Sequence, residues 1–248
     1  MMIDTHAHIN KEYYPQIDDV LKKIIESGVE KIIVPGTSIQ DSRENPLYKN
    51  DILYYAVGIH PSEKYPIEKK EIEKLVSKNT IAIGECGLDY FYPVHSLELQ
   101  EKNFRVQIEL SIEKNLPLIV HTREALTDTL KILKDYYKKG DENKGVIHSA
   151  SGDIKILEKI EDLGFYLSFN GISTFKNAKN IRDLIINTDI KKILIETDSP
   201  FLTPEPKRQE KINTSANLHY ILENIEKLKN EPYIKEIIYN NSKNLFKI

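Results

Sequence analysis

Two histidines near the N-terminus are spaced so that both could bind one metal ion. Asp4, His6 and His8 alternate with apolar or small residues. In an extended strand, successive side chains point to opposite faces, so one face would carry two imidazoles and a carboxylate. Imidazoles two residues apart on that face are neighbours and can reach a single ion. A solvated surface strand would also account for this segment, and the rest of the chain has to decide between the two interpretations.

Further candidate ligands stand at the ends of short apolar runs along the chain. Apolar runs end at residues 59, 84, 120, 147 and 195. The residues directly after the first four are His60, Glu85, His121 and His148, and Asp198 lies three residues after the fifth. Five of the seven histidines occupy such run ends, and His95 and His219 are the two that do not. Chance would scatter histidines over helices and loops. The set therefore indicates a metal site more strongly than any one of its members does.

The order of apolar and amphipathic stretches predicts the fold. Eight apolar runs are candidate strands, at residues 2–4, 31–34, 54–59, 80–84, 117–120, 145–147, 165–169 and 192–195. Six amphipathic stretches are candidate helices, at residues 17–27, 68–77, 97–114, 125–137, 154–162 and 177–186. In the fourth stretch, Leu126, Leu130 and Leu133 have the i, i+4, i+7 spacing of one buried helical face. The sequence of residues 217–248 predicts two more helices, with an interruption between them near Pro232.

Strands that alternate with helices form parallel βαβ units. Eight such units predict an α/β fold, a single (β/α)₈ TIM barrel with extra C-terminal helices. A doubly wound open sheet is the main alternative, but it usually has a glycine-rich fingerprint after its first strand, where this chain has His-x-His. We find no internal repeat and no linker in the sequence. Residues 1–248 are therefore predicted to form one domain.

In a barrel, polar residues at the C-terminal strand ends point into one mouth. The candidate ligands are the five histidines at such ends, together with Glu85 and Asp198; the histidines are His6, His8, His60, His121 and His148. A catalytic ion usually takes three protein ligands, so this set is too large for one ion. It favours two ions, roughly 3.5–4 Å apart, bridged by a carboxylate and a solvent molecule. Imidazoles suit zinc, manganese or iron and carboxylates suit magnesium, so Mg²⁺ and Zn²⁺/Mn²⁺ both stay open.

Composition limits the classes of function. The formal net charge of −3 creates no overall basic field that would attract nucleic acid, so binding would have to be local. The single cysteine, Cys86, cannot form an internal disulfide, and we expect no signal peptide, which together favour the cytoplasm. No apolar run approaches the ~20 residues of a membrane span. Oligomeric state is not readable from the sequence.

Five sequence motifs, in this order along the chain, make it similar to the TatD family of metal-dependent deoxyribonucleases, which belongs to the amidohydrolase-like barrels. The motifs are DTHAH at residues 4–8, GIHP at 58–61, GECGLDY at 84–90, LIVHTR at 118–123 and ETDSPFL at 196–202. The resemblance implies that one ion is held by His6, His8, Glu85 and Asp198. It implies that the second ion is held by Glu85, His121 and His148. Many related amidohydrolases use a carboxylated lysine at strand four, whereas Glu85 can bridge without modification.

Two segments depart from the family pattern, and both are predicted to lie on mouth loops. After the strand-six histidine the family commonly has Cys-Phe-x-Gly, where this chain has SASG at residues 149–152. The family's basic stretch usually ends in Asn-Glu-Pro, whereas Asn213 here has no Glu-Pro after it. Lys207, Arg208 and Lys211 precede Asn213 and could form a phosphate-binding shelf or a solvated charge run. These changes bear on substrate preference more than on metal binding.

The roles of four neighbouring residues stay open at this stage. Glu196 could support a ligand or fill the barrel interior, and Asp89 could orient a histidine or begin a helix. Asp4 could support His6 or His8 or close the barrel bottom. Cys86 is expected to be a buried small hydrophobic residue rather than a ligand.

The sequence thus predicts hydrolysis of a phosphodiester by metal-activated water, with DNA single strands or strand ends as substrate. Asp198 would bind an ion and take the proton from the water, while His60 and Arg123 would grip the phosphate. The first alternative is an enzyme of the same barrel acting on a small amide, lactone or phosphoester. The second is a non-enzymatic barrel with a structural metal and a closed ligand shell.

Overall fold

The computed structural model describes residues 1–92 and 96–248, and its eight parallel strands follow one another in the order β1 to β8. The strands are β1 Met2–Asp4, β2 Val29–Val34, β3 Leu53–Val57, β4 Thr80–Asp89, β5 Leu118–Arg123, β6 Gly145–Ile147, β7 Phe165–Phe169 and β8 Ile193–Ile195. The first and last strands meet where the Thr5 N–H donates to the carbonyl of Ile195 at 3.1 Å and where Ala7 bridges Ser199. The predicted barrel is confirmed.

Helices connect the strands and cover the outside of the barrel. They are α1 Ile17–Glu26, α2 Ile39–Glu44, α3 Lys69–Glu73, α4 Leu97–Lys114, α5 Leu126–Tyr136, α6 Ile154–Glu161, α7 Lys179–Asn187, α8 Leu218–Lys229 and α9 Ile234–Phe246. The two predicted C-terminal helices are present, and α2 was not predicted. Helix α3 is shorter than predicted because Leu75 and Val76 donate to carbonyls three residues back, which ends the helix in a turn.

Three strands, β2, β4 and β5, extend beyond their predicted bounds, and the extensions of β4 and β5 change where the site residues lie. Residues 86–89 of β4 pair with residues 120–123 of β5. Glu85, Asp89 and His121 therefore lie within strands rather than after them. Conversely, β1 ends at Asp4, so His6 and His8 follow the strand instead of lying on it. The strand predicted at residues 2–4 is confirmed, and beyond its end the rings of His6 and His8 still lie together beside Oδ1 of Asp198.

The last helix closes one end of the barrel. One buried residue from each of β2 to β8 belongs to a single apolar cluster with Leu245 and Phe246 of α9. These are Ile33, Ala56, Ala82, Ile119, Val146, Tyr166 and Leu194. A cluster with one member per strand forms where side chains face the barrel axis. The extra C-terminal helix therefore packs against the barrel interior, and the opposite end is left for the mouth.

Two points of the sequence analysis are not decided by this fold. His95 lies outside the described residues. The assignment of residues 1–248 to one domain stays a prediction. Within residues 1–92 and 96–248, no helix has the length and apolar character needed to cross a bilayer.

Glu161, the last residue of α6, supplies a test of stability that is remote from the mouth. Burial raises the pKa of this carboxyl to about 7, and Asp189, Glu158 and Asp162 add to the effect while Lys192 opposes it. A pKa that is higher in the folded chain than in the unfolded one lowers stability as pH rises from the unfolded to the folded value.

Glu161→Gln is therefore expected to raise the free energy of unfolding by about 1 kcal/mol more at pH 8 than at pH 5, after discounting for partial solvent exposure. Urea denaturation at both pH values measures this difference. The exposed Glu223 of α8 is the matched control, and Glu223→Gln should show no such difference. An equal effect of Glu161→Gln at both pH values would contradict the assignment.

Candidate metal centre

Glu85 lies at the middle of a group of four imidazoles. Its Oε1 is 3.0 Å from Nδ1 of His121 and 3.2 Å from Nε2 of His148. The same oxygen is 3.6 Å from Nε2 of His60, and Oε2 is 3.3 Å from Nε2 of His6. The side chain of Glu85 is 5% exposed. A carboxylate in this position can contact ligands from both halves of the barrel.

Asp198 completes the group on the side of the first strand. Its Oδ1 lies 3.6 Å from Nε2 of His8 and 3.8 Å from Nε2 of His6. The rings of His6 and His148 stack with centroids 4.0 Å apart. The side chains that the sequence predicted as ligands are thus brought together at one end of the barrel.

A strand irregularity aims Glu85 into the barrel. Gly84 pairs with Ile119 and Cys86 pairs with Val120, which leaves Glu85 without a partner in β5. A residue at such a bulge is turned away from the regular alternation of side chains. Gly87 then brings β4 close to the backbone of His121, because a Cβ at Gly87 would lie 1.9 Å from the His121 carbonyl oxygen. Its φ of +143° is also one that favours glycine.

Asp198 is held by contacts that cross from the first strand to the last. The Asp4 carboxylate accepts hydrogen bonds from Thr197 N at 2.9 Å and from Thr197 Oγ1 at 2.5 Å. It also accepts from the His6 N–H at 3.3 Å. Asp4 therefore holds the backbone of His6 and Thr197 rather than an imidazole, and it does not close the barrel bottom. The Asp198 N–H donates in turn to the His6 carbonyl at 2.9 Å.

Asn213 fixes the loop that follows Asp198. Its Nδ2 donates to the carbonyls of Thr197 at 3.2 Å and Phe201 at 2.7 Å, and its own N–H donates to the Pro200 carbonyl at 2.9 Å. Asn213 is fully buried. The sequence marked this residue by its place in the family pattern, but its role as a clamp was missed. The loss of the following Glu-Pro leaves the clamp in place.

Two carboxylates set the orientation of two histidines. Oδ2 of Asp89 lies 3.1 Å from Nε2 of His121, and Oε1 of Glu196 lies 3.2 Å from Nδ1 of His148. A carboxylate that accepts one ring N–H leaves the other nitrogen free of its proton and fixes the ring. His121 therefore presents Nδ1 to Glu85, and His148 presents Nε2. Asp89 also accepts from the N–H groups of Phe91 and Tyr92, so it orients a histidine and shapes the following loop.

The charges within the group balance one another. Burial raises the pKa of the Glu85 carboxyl, but the surrounding imidazoles outweigh burial and hold this pKa well below its usual range. Burial lowers the pKa values of His8, His121 and His148, but neighbouring carboxylates outweigh it and raise all three. Burial lowers the pKa of His60 to about 4. His60 is therefore neutral near pH 7.

The donor set fits divalent metal ions. Four groups of three residues bring a ligand atom each to within 4.8 Å of one another. They are His6–His8–Asp198, Glu85–His121–His148, His6–His148–Glu196 and His60–Asp89–His121. Both ring nitrogens of His6 are buried with no hydrogen-bond partner, as is Oε2 of Glu196. Buried polar atoms are normally satisfied, and a bound cation would satisfy the Nε2 of His6, which is aimed at the carboxylates of Glu85 and Asp198.

Comparison with known proteins identifies the family. The sequence model of the TatD-related DNase family matches residues 3–247. The chain belongs to this family. It is 35% identical to YabD of Bacillus subtilis, an uncharacterized metal-dependent hydrolase by name, over 100% of both chains. It is 34% identical to YcfH of Escherichia coli K12, which carries the same description, over 84% of this chain and 80% of YcfH.

The fold agrees with that assignment. The crystal structure of YJJV, a TatD homolog from Escherichia coli K12, superimposes with a TM-score of 0.86 at 26% identity, covering 100% of this chain and 98% of that one. The TatD-family chain is thus a metal-dependent hydrolase, as the sequence predicted. The second alternative, a non-enzymatic barrel with a structural metal, is not supported.

The candidate metal centre of this TatD-family chain lies at the floor of an open cavity of about 860 Å³. Seven of the predicted site residues line it, namely His8, His60, Glu85, His121, Arg123, His148 and Asp198. His6 lies beneath them, fully buried. Arg123 is the last residue of β5 and lies on the cavity wall. Its guanidinium carbon lies 4.0 Å from the ring centroid of Phe91 and 4.8 Å from that of Tyr92.

The basic loop does not reach the cavity. Lys207, Arg208 and Lys211 are not among the residues that line it. Lys207 pairs with Glu210 at 2.9 Å, and Arg208 lies over the ring of Phe175, 3.4 Å from its centroid. These contacts match the solvated charge run rather than the phosphate-binding shelf at the cavity wall.

The other departure from the family pattern lies at the mouth. Ser149 and Ser151 line the cavity. The Ser149 N–H donates to Oε1 of Glu196 at 2.7 Å, and its hydroxyl accepts from Asn170 at 2.9 Å. Glu196 therefore supports a ligand, which answers the question that the sequence left open. Cys86 is fully buried and belongs to none of the four donor groups, as expected.

Proposed function

We propose that the chain is a deoxyribonuclease that hydrolyses phosphodiester bonds in single-stranded DNA, at strand ends, with two divalent ions. One observation carries the proposal: a buried set of imidazoles and carboxylates forms the floor of an open cavity whose wall holds an arginine. Phosphate recognition suits arginine because its planar fork can donate two hydrogen bonds at once. The family description as TatD-related DNases supports the same chemistry.

The proposed ligands divide into two sets that share Glu85. His6, His8, Glu85 and Asp198 would hold one ion, and Glu85, His121 and His148 would hold the other. When bound, such a pair of ions lowers the pKa of a water molecule and stabilises charge on the attacking and leaving oxygens. Mg²⁺ and Zn²⁺/Mn²⁺ are the candidate ions, because the set mixes imidazoles with carboxylates.

The remaining steps belong to the side chains of this chain. Asp198 takes the proton of the attacking water, since it lies at the cavity floor with its carboxylate between His6 and His8. His60 is proposed to donate to a phosphate oxygen. The Ser62 N–H donates to Nδ1 of His60 at 3.1 Å, so the ring proton of the neutral imidazole is on Nε2, which faces Glu85. Arg123 would neutralise the phosphate from the wall.

A specific observation also favours a second candidate, hydrolysis of a small amide, lactone or phosphoester. Among the described residues that line the cavity, Arg123 is the single Lys or Arg side chain, while Glu12 and Asp41 are acidic. A cavity wall with one arginine and several carboxylates can bind few phosphate groups. It therefore suits a strand end or a small substrate better than a long duplex. The cytoplasmic location stays a prediction.

The test combines metal removal with a matched pair of arginines. The purified chain should contain two ions by elemental analysis, and it should lose cleavage of 3′- and 5′-labelled single strands after chelation and regain it with added metal. Arg123→Ala should reduce the slope of log affinity against log salt by about 0.7, the value for one lost single-strand phosphate contact. Arg208→Ala should not change the slope, because Arg208 also stacks on an aromatic ring but lies outside the cavity lining.

Two outcomes would overturn the proposal. An unchanged salt slope in Arg123→Ala, with rapid turnover of a small ester or amide by the wild-type chain, would favour the second candidate. If cleavage of DNA persists after complete chelation, the reaction does not require a metal ion, and the proposed mechanism is wrong.

A further inference from the structure

Aromatic rings stand exposed around the mouth of the cavity. Phe201 is 49% exposed and Tyr92 is 60% exposed, and both line the cavity. Phe201 packs edge-on against Tyr13, with ring centroids 5.8 Å apart, and its ring centroid lies 6.2 Å from that of His8. The exposed ring of Phe201 lies beside His8, a proposed metal ligand. A substrate bound at the ligands could therefore cover the apolar surface of this ring.

The backbone that carries Phe201 is fixed on both sides. The Phe201 N–H donates to the Asp198 carbonyl at 2.9 Å, and its own carbonyl accepts from Asn213 at 2.7 Å. The ring is therefore exposed on a rigid loop rather than on a mobile one. A rigid, flat apolar face loses little entropy when a planar group stacks on it.

Phe201 and Arg123 stand on opposite sides of the mouth. Phe201 follows β8, which neighbours β1, whereas Arg123 ends β5. In a ring of eight strands, the first strand lies opposite the fifth. Glu85 and Asp198 line the same cavity, so a phosphate bound near them would have the arginine on one side and the pair of Tyr13 and Phe201 on the other.

Charge decides what each wall can hold. The wall beside Tyr13 and Phe201 contains Glu12 and Asp41, which disfavour a second phosphate there. An uncharged planar group suits that wall better. In a nucleotide, the planar uncharged group next to a phosphate is the base.

We propose that Phe201, supported by Tyr13, stacks the base of the nucleotide adjacent to the reacting phosphate. This inference rests on the proposed function and refines it, because a base can stack on Phe201 only when it is unpaired and at or near a strand end. Base recognition by stacking is tolerant of sequence, since every base has a flat face. The enzyme would then select single-stranded ends without reading a sequence.

The test uses Phe201→Ala, Phe201→Tyr and a control at another exposed aromatic, Tyr65→Ala. Tyr65 is 71% exposed and does not line the cavity. The probes are short single strands with 2-aminopurine at the 3′ or 5′ end, whose fluorescence is quenched by stacking. Quenching should occur on binding to wild type, Phe201→Tyr and Tyr65→Ala for one of the two ends, and should be lost in Phe201→Ala. The KM of Phe201→Ala should rise by about 5- to 150-fold, the range for one lost base–aromatic stack.

A strand whose terminal nucleotide lacks its base separates stacking from a structural effect. Wild type should bind this abasic strand as weakly as Phe201→Ala binds the normal strand, and Phe201→Ala should lose nothing further on it. If wild type binds normal and abasic strands equally at both ends, or if Phe201→Ala keeps wild-type KM and quenching, the stacking inference is wrong while the nuclease proposal stands. If wild type cleaves neither strand but hydrolyses a small ester, the proposed function itself has failed.

Discussion

Replacing Glu85 by alanine is expected to remove metal and activity together. Glu85 has oxygens 3.0 Å from His121 and 3.3 Å from His6, which belong to the two proposed ligand sets. Without this carboxylate, four closely packed imidazoles lose the negative charge that a pair of cations requires. Bound metal by elemental analysis and kcat on labelled single strands, measured on the same preparation, test this expectation.

Glu12→Ala is the matched control for Glu85→Ala. Glu12 also lines the cavity, but it belongs to none of the four donor groups. This variant should keep its metal content and most of its turnover. If Glu85→Ala retains both ions, Glu85 does not bridge them, and the two-ion mechanism falls with it. Thermal denaturation of both variants distinguishes loss of metal from loss of folding.

The sequence was sufficient for the barrel and for the residues at its mouth. Parallel βαβ units place every strand end at the same side, so His121 after one apolar run and His148 after the next had to lie together. Their grouping with Glu85 follows from strand order alone, without knowledge of any side-chain conformation. The C-terminal helices α8 and α9 were also predicted, with the interruption near Pro232 that the structure has between them.

Contacts between distant parts of the chain could not be predicted in this way. The support of Thr197 by Asp4 depends on closure of the barrel, which brings residues 193 positions apart into hydrogen-bond distance. The clamp from Asn213 depends on the path of an irregular loop that has no periodic pattern. Strand β4 continues to Asp89 because β5 pairs with it, and local apolar content ends at Gly84. The pairing of β4 with β5 therefore sets the end of β4, which the local sequence pattern did not predict.

The most informative single substitution is Asp198→Asn, because it separates proton transfer from metal binding. Asp198 has a φ of +52°, a left-handed conformation that asparagine tolerates as well as aspartate does. Asparagine also keeps the size of the side chain and an oxygen that can bind an ion. The substitution removes the negative charge that accepts the proton of the attacking water. Asp198→Ala would be a poorer test, since it changes the backbone preference and the ligand together.

We therefore expect Asp198→Asn to keep its bound metal and to lose turnover by about 10²- to 10⁴-fold, the usual effect of a lost general base. This result would differ from that of Glu85→Ala, in which metal and turnover disappear together. The KM for single strands should change little, because neither Arg123 nor the Phe201 wall is altered. If Asp198→Asn turns over near the wild-type rate, another group takes the proton and Asp198 is at most a ligand. If it loses its metal instead, the charge of Asp198 is needed for binding, and its role in proton transfer has to be tested in metal-saturated enzyme.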